Sequence, residues 1–315
     1  MGGVAVVTDS TCDLPRELVE SLGLRVVPLS VTFDRDSHIA GVTLEHEAFY
    51  DRLAESRRLP TTSQPAPAWF EEAYADCVDE GYDAVVSIHC SAALSGTVSL
   101  ARDRAAHADI PVEVVDARLV GGALGLAALA AHRVAERGGS VAEVVAASQA
   151  VTARSTSLIV VDTLENLRRG GRLTGAQAAV GTALRVKPVL QLTEEGRVEV
   201  RERVRTWTRA LDRVAQLVAE AADGRVVDAV VVHAVAPERA AQLWQRLGSR
   251  VTVREGLEAL IGPIVGTHVG PGAVGVAVVP VDDAEVASEE EPEEGSGEEA
   301  ERAEQASVED ADGGG

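Results

Sequence analysis

Residues 261–276, IGPIVGTHVGPGAVGV, contain five glycines and two prolines, and His268 is their only ionisable side chain. A backbone so rich in glycine can turn sharply and come close to a ligand. A lone imidazole in apolar surroundings is a polar group that can donate, accept or carry a proton. Hydroxyls gather in three other stretches: TDST at 8–11, PTTSQP at 60–65 and SAALSGT at 91–97. Each alone suits a plain helix cap or turn. Together, at the carboxyl ends of strands, hydroxyls and helix N-terminal amides make a neutral cradle for an anion, either a carboxylate or a phosphate. The stretch NLRRGGRL at 166–173 adds Arg172, whose planar fork matches carboxylate or phosphate oxygens, although an arginine there also suits a solvated helix end. Lys187 is the only lysine, a compact point charge in a chain whose other basic residues are arginine.

The elements that must hold these groups alternate. Apolar runs at 4–7, 25–31, 83–89 and 112–116 read as strands. Helices are expected at 13–23, at 44–56 with Thr43 as cap, from Pro67, over 121–137, and from Ser140, where Ser140 and Glu143 have capping-box spacing. Near-continuous Val and Ile between helices predict a doubly wound, mainly parallel sheet covered on both faces. From residue 158 the rhythm changes. A strand at 158–161, a short helix ended by Gly170-Gly171, a helix over 175–184, and strands at 188–192 and 197–205 joined by Glu194-Glu195-Gly196 as an antiparallel hairpin come first. A long helix, strand 229–233, a helix opened by Pro237, a short strand near Val251 and strand 273–279 complete an α+β domain with a mixed sheet. The expected division is an α/β domain over 1–153, the α+β domain over 154–281 and a disordered acidic tail over 282–315.

Composition narrows the function classes. The 315 residues carry a net charge of -21, but from Val281 onward fifteen Asp and Glu face one Arg, which accounts for -14 and leaves -7 for the body. Such a body lacks the clustered positive charge expected for nucleic acid or an anionic membrane. No metal site is expected, because Cys12, Cys77 and Cys90 are without CxxC spacing. Three cysteines and a start, MGGVAVVTDS, without a charged or apolar leader fit a reducing cytoplasm. The 46% hydrophobic content with only 3% aromatic predicts aliphatic cores.

The motifs TDSTCDLP (8–15), TTSQP (61–65), SAALSGT (91–97), LENLRRGGRL (164–173), RVKPVLQL (185–192), RVRT (203–206) and IGPIVGTHVGPGAVG (261–275), in this order, resemble the motif series of the DegV family. These are bacterial fatty-acid-binding proteins, the lipid-carrying subunit of fatty acid kinase. The resemblance spans about residues 4 to 280. It departs from the family at Ala92-Ala93, where a second serine is common, and at Ala117, where serine is usual. It implies an α/β domain that buries the acyl chain of a long-chain fatty acid. By the same resemblance Thr62, Ser95 and His268 bind the carboxyl group with Arg172 close by, there is no cofactor, and a separate kinase subunit phosphorylates the bound acid. A ~16-carbon chain at about 0.8 kcal/mol per buried methylene offers on the order of 10 kcal/mol before entropy losses.

Two further readings stay open: a hydrolase with Ser95 as nucleophile and His268 as base, which lacks a GxSxG elbow, and a carboxylate carrier or sensor without a kinase. No Walker A loop is present to hold a nucleotide, so this chain is not expected to be an enzyme by itself. In the hairpin, period two places Arg197, Glu199, Arg201, Arg203 and Arg205 on one face and Val198, Val200, Glu202 and Val204 on the other. The resemblance sets this region beside phosphoryl transfer, so Arg205 and Arg203 are expected to meet the kinase or the phosphate. Among the aromatics, Phe49, Tyr50, Trp69, Phe70 and Tyr74 are read either as a cap over the cavity mouth or as ordinary core.

Overall fold

The computed structural model describes residues 2–173 and 186–281. The apolar run Val4–Asp9 forms β1, and its end folds into a 3-10 turn at Ser10–Cys12, where Asp9 Oδ1 accepts from both Thr11 N and Thr11 Oγ1. Helix α1 (Arg16–Leu22) leads to β2 (Arg25–Val27), which lies parallel to β1. The expected strand over 25–31 breaks here. The partner strand ends at Asp9, Pro28 has no N–H to offer, and Leu29 N donates to Ser10 Oγ instead. The chain then enters a small antiparallel sheet of β3 (Ser30–Phe33) and β4 (Asp36–Ile39). Helix α2 (His46–Glu55) follows without a side-chain cap, because Thr43 Oγ1 accepts from Ile39 N and holds the preceding turn. Thr61–Ser63, read as loop, is β5 and pairs with β3, Thr62 opposite Val31.

Helix α3 (Pro67–Asp79), β6 (Ala84–His89), α4 (Thr97–Ala105) and β7 (Val112–Asp116) complete a four-stranded parallel sheet in the order β2-β1-β6-β7. Alternate residues of β1 serve its two faces. Ala5 and Val7 pack with Phe70, Tyr74 and Cys77 of α3, while Val4 and Val6 join the larger cluster on the other side. Helix α5 (Gly122–Glu136) belongs to that larger cluster, and eleven of its fifteen residues are buried. A helix apolar all round must be covered all round. The sequence GALGLAALAA achieves this with small side chains between two sheets: a β-carbon on Gly125 would strike Leu14, and one on Gly122 would strike Val230 of the second sheet. Helix α6 (Val141–Arg154) packs on α5 and begins with the expected capping box.

The second sheet contains β8 (Thr156–Val160), β9 (Lys187–Leu192), β10 (Val198–Val204), β11 (Val227–His233), β12 (Val253–Leu260) and β13 (Val274–Pro280), in the order β10-β9-β8-β13-β11-β12. All its pairs are antiparallel except β11 with β12, so the sheet is mixed. Between its strands lie α7 (Glu165–Arg169), α8 (Trp207–Ala222), α9 (Pro237–Gly248) and α10 (Pro263–Val269). Helices α8 and α9 cover one face, and α5 reaches the other.

Three further details differ from the sequence reading. β12 runs for eight residues, not a short strand near Val251, because it is an edge strand whose Arg254, Glu255 and Glu258 mask the period. The glycine-rich stretch around His268 is not an open turn but helix α10, started by Pro263 in the first turn and stopped at Gly270. In β10 a bulge at Arg201 breaks the alternation: Val198 and Val200 pack into the inner cluster, while Val204 packs into the cluster beneath α8 and Glu202 binds Arg213 on α8. The residues 175–184 and 282–315 lie outside the described ones. Among the described residues no helix is long and apolar enough to cross a membrane.

Candidate functional site

Thr62, Ser95, Arg172 and His268 line one cavity. Each comes from a different element. Thr62 stands on the edge strand β5, Ser95 in the loop between β6 and α4, Arg172 just past the Gly-Gly pair that ends α7, and His268 on the last turn of α10. Thr62 Oγ1 and His268 Nε2 share a hydrogen bond of 3.0 Å across 206 residues of sequence. Arg172 Nε donates to Leu94 O at 3.1 Å and Nη1 to Gly170 O at 2.6 Å, which ties the Ser95 loop to the end of α7. Ser95 Oγ pairs with Thr97 Oγ1 at 2.8 Å.

Away from these groups the walls are mainly aliphatic, with Leu29, Leu94, Val120, Ile159, Leu190, Val198, Val232, Ile261, Ile264 and Val269. The cavity volume is about 130 Å³. None of Phe49, Tyr50, Trp69, Phe70 and Tyr74 lines it. Phe70 and Tyr74 are core on the far face of the parallel sheet, and Tyr50 donates to Ile261 O to hold the approach to α10.

The imidazole is kept neutral. Burial first, and then the positive charge of Arg172, push His268 down to about 4. Its Nδ1 is buried without a hydrogen-bond partner, against Gly170. A neutral ring has one N–H. Placed on Nε2, it turns the donor toward Thr62 and the cavity and leaves Nδ1 as an acceptor.

Asp13 also lines the cavity, and the sequence reading did not single it out although it lies within TDSTCDLP. Its Oδ1 accepts from Gly262 N at 2.9 Å, at the start of α10, and Oδ2 is buried without a partner. Burial pushes this carboxyl up to about 8, against the Gly262 hydrogen bond and with help from Asp9, so it is protonated at neutral pH. Asp9 itself is different. Burial raises it too, but hydrogen bonds from His89, Thr11 and the Cys90 N–H outweigh that and hold it below the usual range. A buried chain runs from Asp9 Oδ2 through His89 to Ser87 Oγ and Tyr74 OH, with links of 3.1, 2.7 and 3.0 Å. Asp9, His89 and Ser87 are all 0 % exposed, so this chain is part of the core.

Arg203 and Arg205 do not line the cavity, and both are exposed at the end of β10. Lys187, opposite Val204, is paired with Asp162, which also accepts from Trp207 Nε1 at 3.2 Å and lies 3.6 Å from Arg239. The Arg239 guanidinium stacks on the Trp207 ring at 3.7 Å. The sequence signal for this cluster was the single lysine.

A profile of the DegV family, described as uncharacterised proteins, matches residues 3–281. A DegV domain-containing protein of Streptomyces coelicolor is 44% identical over 276 residues, covering 87% of this chain and 98% of the relative. Protein DegV of Bacillus subtilis is 34% identical over 276 residues, with the same two coverages. Among solved structures, a DegV family protein from Thermus thermophilus described as fatty acid binding superposes with a TM-score of 0.83 at 35% identity, over 89% of this chain and 100% of that one. The crystal structure of DegV from Bacillus subtilis, described as a fatty acid binding protein, gives a TM-score of 0.80 at 33% identity over 89% and 99%. Two sheets around one aliphatic cavity, together with these matches over nearly all of the described chain, mean that the protein belongs to the DegV family.

Proposed function

We propose that this chain binds a long-chain fatty acid, burying the acyl tail in the aliphatic cavity and holding the carboxyl group at Thr62, Ser95 and His268, with Arg172 alongside. The observation that carries the reading is the convergence of these four side chains, from four separate elements, on a cavity whose walls are otherwise mainly aliphatic. A buried carboxylate needs donors and positive charge. Two hydroxyls, one imidazole N–H and a guanidinium supply both. That relatives of the same fold are described as fatty acid binding supports the same reading.

The bound carboxyl is presented to a separate kinase subunit, which phosphorylates it to an acyl phosphate; this chain is the carrier, not the enzyme. The exposed Arg205 and Arg203 contact that kinase or the transferred phosphate. A hydrolase is disfavoured because Ser95 Oγ is engaged with Thr97 and His268 Nδ1 has no carboxylate to orient it. The protein acts in the cytoplasm, without metal or cofactor.

Native and denaturing mass spectra of the protein purified from bacteria test the binding reading. One fatty acid per chain is expected, lost on denaturation. Equal masses in the two spectra, with no acid in the organic extract, would sink it. ATP-dependent acyl phosphate formation by this chain alone would overturn the division of labour.

A further inference from the structure

The cavity contains a second polar point that the carboxyl group does not use. Asp13 is 3% exposed, lines the cavity, and its Oδ2 has no hydrogen-bond partner. The carboxyl is fixed from one side, since Oδ1 accepts from Gly262 N, while Oδ2 faces the first turn of α5. There Gly121 and Gly122 also line the cavity, and a β-carbon on Gly121 would stand 3.6 Å from Oδ2. Neither glycine has a side chain to set against Oδ2. An unpaired polar atom buried in an apolar wall is unfavourable by roughly 1–3 kcal/mol unless something else offers it a partner. The raised Asp13 carboxyl, at about 8, carries a proton at neutral pH and is therefore an O–H donor without a fixed negative charge.

Its distance from the carboxyl site follows from α10. Asp13 binds Gly262 at the start of the helix and His268 stands six residues further on, about 9 Å at 1.5 Å per residue. An extended chain advances roughly 1.1–1.2 Å per bond, as an extended backbone does over its three bonds per residue. A fatty acid whose carboxyl sits at His268 and whose chain runs back along α10 brings roughly its eighth to tenth carbon level with Asp13.

We propose that Asp13 recognises an oxygen carried on the middle of the acyl chain, so that the cavity takes mid-chain hydroxylated fatty acids in preference to the plain acid of the same length. The proposal rests on reading the cavity as an acyl-chain site. A hydroxyl there accepts the Asp13 proton in a hydrogen bond and is spared the burial penalty it would meet elsewhere along an aliphatic wall. The preference is for a hydroxyl level with Asp13 and is therefore specific to position.

The test is competition on the full chain, stripped of lipid, between stearic acid, 10-hydroxystearic acid and 18-hydroxystearic acid, for the wild type and Asp13→Ala. In the wild type the 10-hydroxy acid is expected to bind roughly threefold to tenfold tighter than stearic acid, and the 18-hydroxy acid more weakly than either. The preference for the 10-hydroxy acid disappears in Asp13→Ala. If the Ala variant does not fold, 13C-labelled wild type serves: the side-chain carboxyl signal of Asp13 differs between the stearic and 10-hydroxystearic complexes. Equal affinity for stearic and 10-hydroxystearic acid in the wild type, a preference that survives in Asp13→Ala, or an Asp13 signal identical in the two complexes overturns the proposal. Failure to bind stearic acid at all defeats the underlying fatty acid reading instead.

Discussion

The imidazole of His268 occupies the space where a side chain on residue 170 would begin. A β-carbon built on Gly170 overlaps Nδ1 and comes within 2.8 Å of Cε1. The two glycines that end α7 therefore have separate duties. Gly171, at φ +70, makes the left-handed turn, whereas Gly170, at φ -71, could be any residue as far as its backbone is concerned. It is glycine because the ring needs the room.

Gly170→Ala should accordingly keep the fold and damage the site. Displacing the ring from Thr62 removes a donor from a charged ligand, about 1.5–3 kcal/mol, or roughly tenfold to 150-fold in fatty acid affinity. Displacement titration with a fluorescent fatty acid checks the affinity and a melting curve checks the fold. Wild-type affinity in the variant would show that the ring position does not matter.

His268→Ala and Ser95→Ala should weaken binding of the acid more than binding of its methyl ester. In the proposed binding mode the lost donors face the carboxyl and not the tail, so each change is expected to remove about 1.5–3 kcal/mol from the acid alone. Equal losses for acid and ester would place both residues elsewhere on the ligand.

Asp13 predicts an unusual pH dependence of stability. Its folded carboxyl titrates near 8, above the ordinary 3.8. The folded state then binds more protons than the unfolded chain over that window, and stability falls as pH rises through it. Asp13→Asn retains an acceptor for Gly262 N and cannot ionise. Its melting temperature should match the wild type near pH 4 and exceed it increasingly up to pH 8, by about 5 kcal/mol of stability at the top. A constant difference across that range would mean that Asp13 is ionised in the fold.

The buried Asp9–His89 pair, both residues 0 % exposed, should be intolerant of losing one partner. His89→Leu leaves the Asp9 carboxylate buried with fewer donors, and a loss of about 3–5 kcal/mol is expected in denaturant unfolding. A loss below about 1 kcal/mol would mean that the carboxyl simply takes up a proton.

Arg205→Glu should leave fatty acid affinity unchanged, because Arg205 is exposed and lines no part of the cavity. In a reconstituted assay with the kinase and ATP, acyl phosphate formation should fall by at least tenfold. Undiminished turnover would refute the assignment of Arg205 to the partner or the phosphate.

Much of the fold is legible in the chain because local patterns carry it. Continuous Val and Ile runs specify parallel strands buried on both faces, and Ser140 with Glu143 marks a helix start that needs no tertiary information. The motifs around Thr62, Ser95, Arg172 and His268 were likewise visible as hydroxyls, an arginine and an imidazole among glycines. What periodicity cannot carry is anything that depends on a distant partner. The bulge at Arg201 exists because β10 must serve two clusters, one around the cavity and one beneath α8, so its valines change face midway. The glycines of the His268 stretch read as freedom, yet Gly266 is there because Tyr50 and Phe49 lie where its β-carbon would go, and the segment is a helix. Asp13 looks like any turn residue until α10 and α5 close over it. Burial, and the proton it forces onto that carboxyl, are properties of the surroundings and only the tertiary structure decides them.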